Sequence, residues 1–203
     1  MTDNPSVSVA ILAGGRSKRM GRDKAFLTVG GVPVIERVIA RVRSLTDDLF
    51  ISTNNGEKYR RFGLPTVPDV IPDKAALGGI YSAICAAKYA HVLVVACDMP
   101  FLNRPLLKHL IRLAPTADVV TPRIHTTQPE TLHAVYAKAC LPAIEAKLAA
   151  NRLRIIGFFD DVTVRYLEAP EISQFDPQFH SFLNMNTPDD WQKLDQLANI
   201  EEC

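Results

Sequence analysis

The sequence predicts a three-layer α/β fold, a mostly parallel sheet with helices on both faces. Three observations carry that prediction. Short β-branched runs alternate with helical patterns along the chain. The strongest run, Val92-Leu93-Val94-Val95-Ala96-Cys97, is apolar on both faces, as a central parallel strand must be. This run ends in Asp98-Met99-Pro100 and the first run, Val7 to Leu12, ends in Ala13-Gly14-Gly15. Abrupt strand ends of this kind suit a sheet that binds its ligand beyond the carboxyl ends of its strands.

The elements follow in order. Val7 to Leu12 reads as a buried strand feeding a loop. Pro33 opens a helix whose apolar residues Val34, Ile35, Val38, Ile39 and Val42 recur at helical spacing. Leu49-Phe50-Ile51 is a second strand and Thr66-Val67 a weaker third. Gly78-Gly79 starts a helix through Tyr81, Ile84 and Cys85 to about Lys88, ahead of the central strand. Pro105 to Leu113 is helical, while Val119 to Thr121 and Thr131 to Tyr136 are strand-like. Ala137 to Ala150 has high helix propensity. Thr163 to Leu167 is a late strand. Thr187-Pro188-Asp189-Asp190 is a helix start: a threonine cap, a proline in the first turn and two acids that suit the helix dipole.

With 203 residues, no internal repeat and no linker, the chain is expected to be one domain over 1–203. It carries 23 basic and 22 acidic side chains, a net charge of +1, which gives no global argument for nucleic acid or an anionic membrane. Cys85, Cys97, Cys140 and Cys203 form no CxxC pair, so a structural zinc site is not expected; Cys85 and Cys97 read as small core residues. The polar start Met-Thr-Asp-Asn-Pro is not a signal peptide, and no run approaches the roughly 20 apolar residues of a membrane helix. The expected location is the cytoplasm.

The loop after the first strand carries the chemistry. From Leu12 to Lys24 it reads Leu-Ala-Gly-Gly-Arg-Ser-Lys-Arg-Met-Gly-Arg-Asp-Lys, with five basic residues and three glycines in thirteen. Glycines let backbone N–H groups approach an anion, and the cations add charge-assisted bonds to phosphate oxygens. It is neither a Walker loop nor a GxGxxG fingerprint.

This pattern resembles the signature of the molybdenum cofactor guanylyltransferases: Leu12-Ala13-Gly14-Gly15, then Arg19-Met20-Gly21, then Asp23-Lys24. Sugar-phosphate and cytidylyl relatives typically carry Leu-Ala-Ala-Gly instead. The resemblance implies a Rossmann-like nucleotidyltransferase fold. It implies transfer of GMP from GTP to Mo-molybdopterin, releasing pyrophosphate, with an N-terminal nucleotide half and a C-terminal pterin half. Asp98, an acid just past an apolar strand, can hold Mg²⁺, a hard cation shared with substrate phosphates. The family's aspartate at this Asp-x-Pro binds magnesium and nucleotide. Asp69, in Pro68-Asp69-Val70-Ile71-Pro72, is implied to contact the nucleotide. Where the family often has Gly-Pro-Leu-x-Gly, this chain has Ala75-Ala76-Leu77-Gly78-Gly79. Asn54 sits near another nucleotide contact, and a polar turn would equally place it there.

In the C-terminal half, Gln128 to Tyr136 resembles the family's proline-then-strand segment, and Asn184-Met185-Asn186-Thr187-Pro188 its Asn-x-Asn-Thr-Pro signature. The resemblance implies that Asn184 and Asn186 lie near the pterin; helix capping is the other reading. Arg152 and Arg154 could reach the pterin's phosphate or could close a solvated helix end. The five histidines are scattered and none is given a catalytic role. Catalysis is expected from Arg19, Lys24 and Asp98, with the metal on Asp98. Nucleotide contacts are expected from Leu12, Ala13, Gly14, Gly15, Lys24, Asn54, Asp69 and Asp98. GTP, Mo-molybdopterin, cofactor-delivery proteins and molybdoenzyme apoproteins are the implied partners. CTP in place of GTP, sugar-1-phosphate nucleotidyl transfer and a non-enzymatic pterin carrier are the alternatives.

Overall fold

β1 (Ser8–Leu12) is buried along its whole length inside a seven-stranded sheet. The computed structural model describes residues 6–14, 24–125, 128–185 and 187–201. The further strands are β2 (Thr28–Val29), β3 (Val32–Pro33), β4 (Leu49–Ser52), β5 (Thr66–Val67), β6 (His91–Ala96), β7 (Val119–Arg123), β8 (His133–Ala137) and β9 (Val164–Glu168). The helices are α1 (Val34–Val42), α2 (Gly56–Tyr59), α3 (Ala75–Ala86), α4 (Arg104–Leu113), α5 (Leu141–Ala149), α6 (Ala169–Ile172) and α7 (Pro188–Glu201). The large sheet runs β5-β4-β1-β6-β8-β7-β9, and β2 and β3 pair apart from it. β1 is parallel to β4 and β6, β4 to β5, and β7 to β9; β8 runs antiparallel to both its neighbours. The mostly parallel sheet of the sequence reading is therefore present. After β1 the chain goes outward to β4 and β5, then returns to β6 on β1's other side. Such a reversal opens a crevice at the carboxyl edge.

The alternation of β1 divides the core. Val9 and Ile11 pack with residues of α1, α4 and α7, while Ala10 and Leu12 pack with residues of α3 and α5. Helices on both faces follow from that doubly apolar strand. In α1 the five apolar residues at helical spacing are all buried. No helix among the described residues is long and apolar enough to cross a membrane.

The structure departs from the sequence reading in five places. α3 starts at Ala75, three residues before Gly78. Cys85 is exposed, because Ile80, Ala83 and Ile84 take the inward face of α3; Cys97 is half-buried, and Cys140 is buried. β8 begins at His133, since Glu130 O accepts the His133 N–H at 2.9 Å in a turn. Ala137 ends that strand, and α5 starts only at Leu141, with Pro142 in its first turn. The β2–β3 hairpin was not foreseen; Gly30 and Gly31, at φ of +56° and +73°, take the left-handed conformations its two-residue turn requires. α7 closes over this hairpin: the Gly30 N–H donates to Asp195 Oδ1 at 2.8 Å and Trp191 Nε1 to Thr28 O at 2.7 Å.

Candidate active site

The carboxyl ends of β4, β1 and β6 are knit together just past the sheet. The Ala13 N–H donates to Ser52 O at 2.9 Å, and the Cys97 N–H to Leu12 O at 3.1 Å. The Leu12-Ala13-Gly14 backbone thus lies between the Thr53-Asn54 corner and Asp98. Leu12 and Ala13 are buried, and Gly14 is exposed where the loop leaves the sheet. A Cβ built on Gly14 would meet nothing within 4 Å, so the approach to this backbone is open.

Asn54 and Asp69 form a reciprocal pair. Asn54 Nδ2 donates to Asp69 Oδ2 at 2.7 Å, and the Asp69 N–H donates to Asn54 Oδ1 at 2.8 Å. The parallel register of β4 and β5 brings them level, the Thr53 N–H donating to Val67 O at 2.8 Å. Gly79, in the first turns of α3, closes the same corner: a Cβ there would lie 3.6 Å from Leu12 Cδ2 and 3.9 Å from Asp69 Oδ1. Leu12, Asn54, Asp69 and Gly79 therefore converge. The loop between Asp69 and α3 is fastened by Ser82, whose Oγ accepts the Val70 N–H and donates to Gly78 O, both at 2.8 Å.

On the other side of β1 stands Asp98. Burial raises its pKa, and the positive charge of Lys24 opposes that rise. Its carboxylate takes a hydrogen bond from its own backbone N–H, which also opposes the rise, and its backbone O accepts the Met185 N–H at 3.3 Å. That bond brings the Asn184-Met185 segment against Asp98 from the far end of the chain. Asn184 Oδ1 is buried and has no hydrogen-bond partner among the described residues. A desolvated carboxylate next to a lysine is a fitting ligand for a cation shared with phosphate oxygens. No group of three or more His, Cys, Asp or Glu that could hold a metal occurs among the described residues.

Of the expected site residues, Leu12, Ala13, Gly14, Lys24, Asn54, Asp69, Asp98 and Asn184 gather on this edge. Gly15, Arg19 and Asn186 lie outside the described residues. Arg154 lines a cavity of about 390 Å³ with Arg123, Pro129, Phe159 and Tyr166.

Two residues of the edge went unassigned. His133, the first residue of β8, is wholly buried against Phe182, with ring centroids 5.0 Å apart and both ring nitrogens unpartnered among the described residues. Burial pushes its pKa down to about 4, so it is neutral near pH 7. Glu130, on the turn before β8, is half-buried, and desolvation raises its pKa. The signal for Glu130 was an acid between a proline and the start of a buried strand.

The chain matches the model of the MobA-like NTP transferase domain over residues 9–160. A probable molybdenum cofactor guanylyltransferase of Pelotomaculum thermopropionicum is 39% identical over 188 residues, 93% of this chain and 91% of that protein. A molybdenum cofactor guanylyltransferase of Desulfosudis oleivorans is 32% identical over 94% of this chain and 95% of its own. Among solved structures, molybdopterin-guanine dinucleotide biosynthesis protein A from Archaeoglobus fulgidus has the same fold. Its TM-score is 0.84 over 96% of this chain and 100% of that chain, at 24% identity.

Proposed function

The chain belongs to the family of MobA-like NTP transferases, and on that premise we propose that it is a molybdenum cofactor guanylyltransferase. It transfers GMP from GTP to Mo-molybdopterin and releases pyrophosphate. Curated relatives bearing the guanylyltransferase name across nearly their whole length support GTP over CTP. The observation that carries the site assignment is the desolvated carboxylate of Asp98 beside Lys24.

In this reading the chain works as one nucleotidyltransferase domain. Leu12 to Gly15, Asn54 and Asp69 hold the nucleoside on one side of Asp98. Arg19 and Lys24 hold the triphosphate. Asn184 and Asn186, in the C-terminal half, hold the pterin on the other side. A phosphate oxygen of the pterin forms a bond to the α-phosphorus of GTP. The bond from that phosphorus to the bridging oxygen breaks, and its electron pair leaves with pyrophosphate. The attacking oxygen is already ionised, so no strong general base is needed and the rate comes from alignment and charge neutralisation. Asp98 would hold Mg²⁺, which when bound supplies positive charge at the reacting phosphates. Lys24 holds further positive charge at the same place. The proposed setting is the cytoplasm, with delivery proteins and molybdoenzyme apoproteins as recipients of the product.

The test is Asp98→Ala. It is expected to abolish pyrophosphate release from GTP and Mg²⁺ with molybdopterin, while the melting temperature stays within a few degrees. Full turnover by the folded variant removes Asp98 from the metal role. Calorimetric titration of the wild-type chain with GTP and with CTP, each with Mg²⁺, decides the base: selectivity for CTP keeps the mechanism and changes the product.

A further inference from the structure

Beyond the nucleotide corner, the same edge carries a carboxylate that the fold does not use. Glu130 sits on a turn pinned from several directions. Its N–H donates to Pro122 O at 2.8 Å, and its O accepts from His133 N at 2.9 Å and from Thr121 Oγ1 at 3.2 Å. The next residue is held as well: the Thr131 N–H donates to Pro129 O at 3.0 Å, and the hydroxyl of buried Tyr136 donates to Thr131 O at 2.7 Å. The backbone is therefore rigid, yet the Glu130 side chain makes no hydrogen bond or ion pair among the described residues. Arg123, at the end of β7, is committed to Glu168 on β9. The charge acting on Glu130 is that of exposed His125, which opposes the desolvation. A half-buried carboxylate without a partner costs stability, so a rigid turn that presents one needs a ligand to explain it.

Position says which ligand. β8 runs antiparallel to β6 with Val95 opposite His133, and the Ala96 N–H extends the ladder by donating to Leu132 O at 3.0 Å. Glu130 stands in the turn directly before β8, as Asp98 stands in the turn directly after β6, so both lie on the same edge of the sheet. Strands lie about 4.8 Å apart. Glu130 is thus one strand from Asp98 on the side away from β1, while Asn54, at the end of β4, is two strands from it on the other side. Asp98 lies between the Asn54–Asp69 corner and Glu130, as the metal site of a transfer between two bound substrates should.

We propose that Glu130 is a specificity-determining residue for the acceptor, its two carboxylate oxygens accepting from the ring N–H and 2-amino group of the 2-amino-4-oxo pterin. This rests on the guanylyltransferase reading above. Guanine offers the same pair of donors, so the chemistry alone fits either substrate; the location of Glu130, across Asp98 from the nucleotide corner, assigns it to the pterin.

The experiment compares wild type, Glu130→Gln and Glu130→Asp with molybdopterin, GTP and Mg²⁺. It also measures inhibition by pterin, which has the 2-amino donor, and by 2,4-dioxopteridine, which has an acceptor in its place. The expected result for Glu130→Gln is an acceptor KM raised at least tenfold, with GTP KM within twofold and kcat within about threefold. Glu130→Asp should recover part of the loss. Wild type should discriminate pterin from 2,4-dioxopteridine by more than tenfold, and Glu130→Gln should not. An unchanged acceptor KM overturns the inference, and a rise in GTP KM instead assigns the carboxylate to guanine and overturns it too. If Glu130→Gln fails to fold, equal inhibition of wild type by the two pteridines still overturns it. Absence of turnover by wild type, with GTP binding intact, overturns the functional reading and this inference with it.

Discussion

Ala75 is where the sequence departs from the pattern Gly-Pro-Leu-x-Gly, and its backbone lies at φ +51°. For an L-residue with a Cβ that left-handed conformation costs about 1–2 kcal/mol. Glycine adopts it freely, which explains a glycine at the corresponding place in relatives. Asp73 carries the same kind of strain at φ +59°. Both are held by the bonds that fasten the 69–75 segment to α3 through Ser82 and Gly78. Ala75→Gly is expected to stabilise the chain by about 1 kcal/mol, raising Tm by about 2–4 °C for a chain of this size. A lower Tm by calorimetry would show that the segment is not strained at this residue. Because Gly79 of the same helix stands against Leu12 and Asp69, a change in GTP affinity in this variant would report coupling between the strain and the nucleotide corner.

At the scale of elements, two helix starts hold the far ends of the chain to the site. Asn103 caps α4: its Oδ1 accepts the Leu106 N–H at 2.9 Å, while its Nδ2 donates to Phe175 O at 2.9 Å. Its own N–H donates to Ser181 Oγ at 2.9 Å, so one residue joins α4 to the segment that leads to Asn184. Thr187 and Asp190 cap α7 reciprocally, the Asp190 N–H donating to Thr187 Oγ1 at 3.1 Å and the Thr187 N–H to Asp190 Oδ2 at 2.8 Å. An isolated cap contributes about 1 kcal/mol. Asn103→Ala also leaves Phe175 O without its donor, so denaturant unfolding is expected to show a loss of about 2 kcal/mol. A loss well under 1 kcal/mol would mean that water replaces both bonds.

For the molecule as a whole, acid stability turns on His133. Its pKa of about 4 in the folded chain lies below its value in the unfolded chain, so the unfolded chain takes up the proton first. Stability from this group is complete above pH 6.5 and is lost as pH falls from there toward 4. The loss by pH 4.5 is about 2–3 kcal/mol. Asp98 and Glu130, both raised by burial, act in the opposite direction as pH falls, so wild type must be compared with a His133 variant. His133→Leu is expected to lose less stability than wild type between pH 7 and pH 4.5, measured by urea unfolding. Equal losses in the two proteins would mean that His133 is solvated or partnered in solution.

The sequence by itself determined the order along the chain of the large sheet's strands, the doubly covered sheet and most of the edge that carries the site. These are local properties: apolar periodicity, turn residues and the abrupt ends of β1 and β6. It also marked Asp98, because an acid directly after a buried strand is conspicuous without any neighbour in view. Only the tertiary structure decided which groups share an environment. The parallel register of β4 and β5 makes a pair of Asn54 and Asp69. The antiparallel run of β8 beside β6 puts the turn that carries Glu130 on the same edge as Asp98. The bond from Met185 to Asp98 O brings in the last segment before α7. Burial of His133 and exposure of Cys85 were likewise beyond a local reading, since both depend on which face of an element meets the core. Long-range register and burial are set by packing between segments far apart in sequence, and no local pattern encodes the partner.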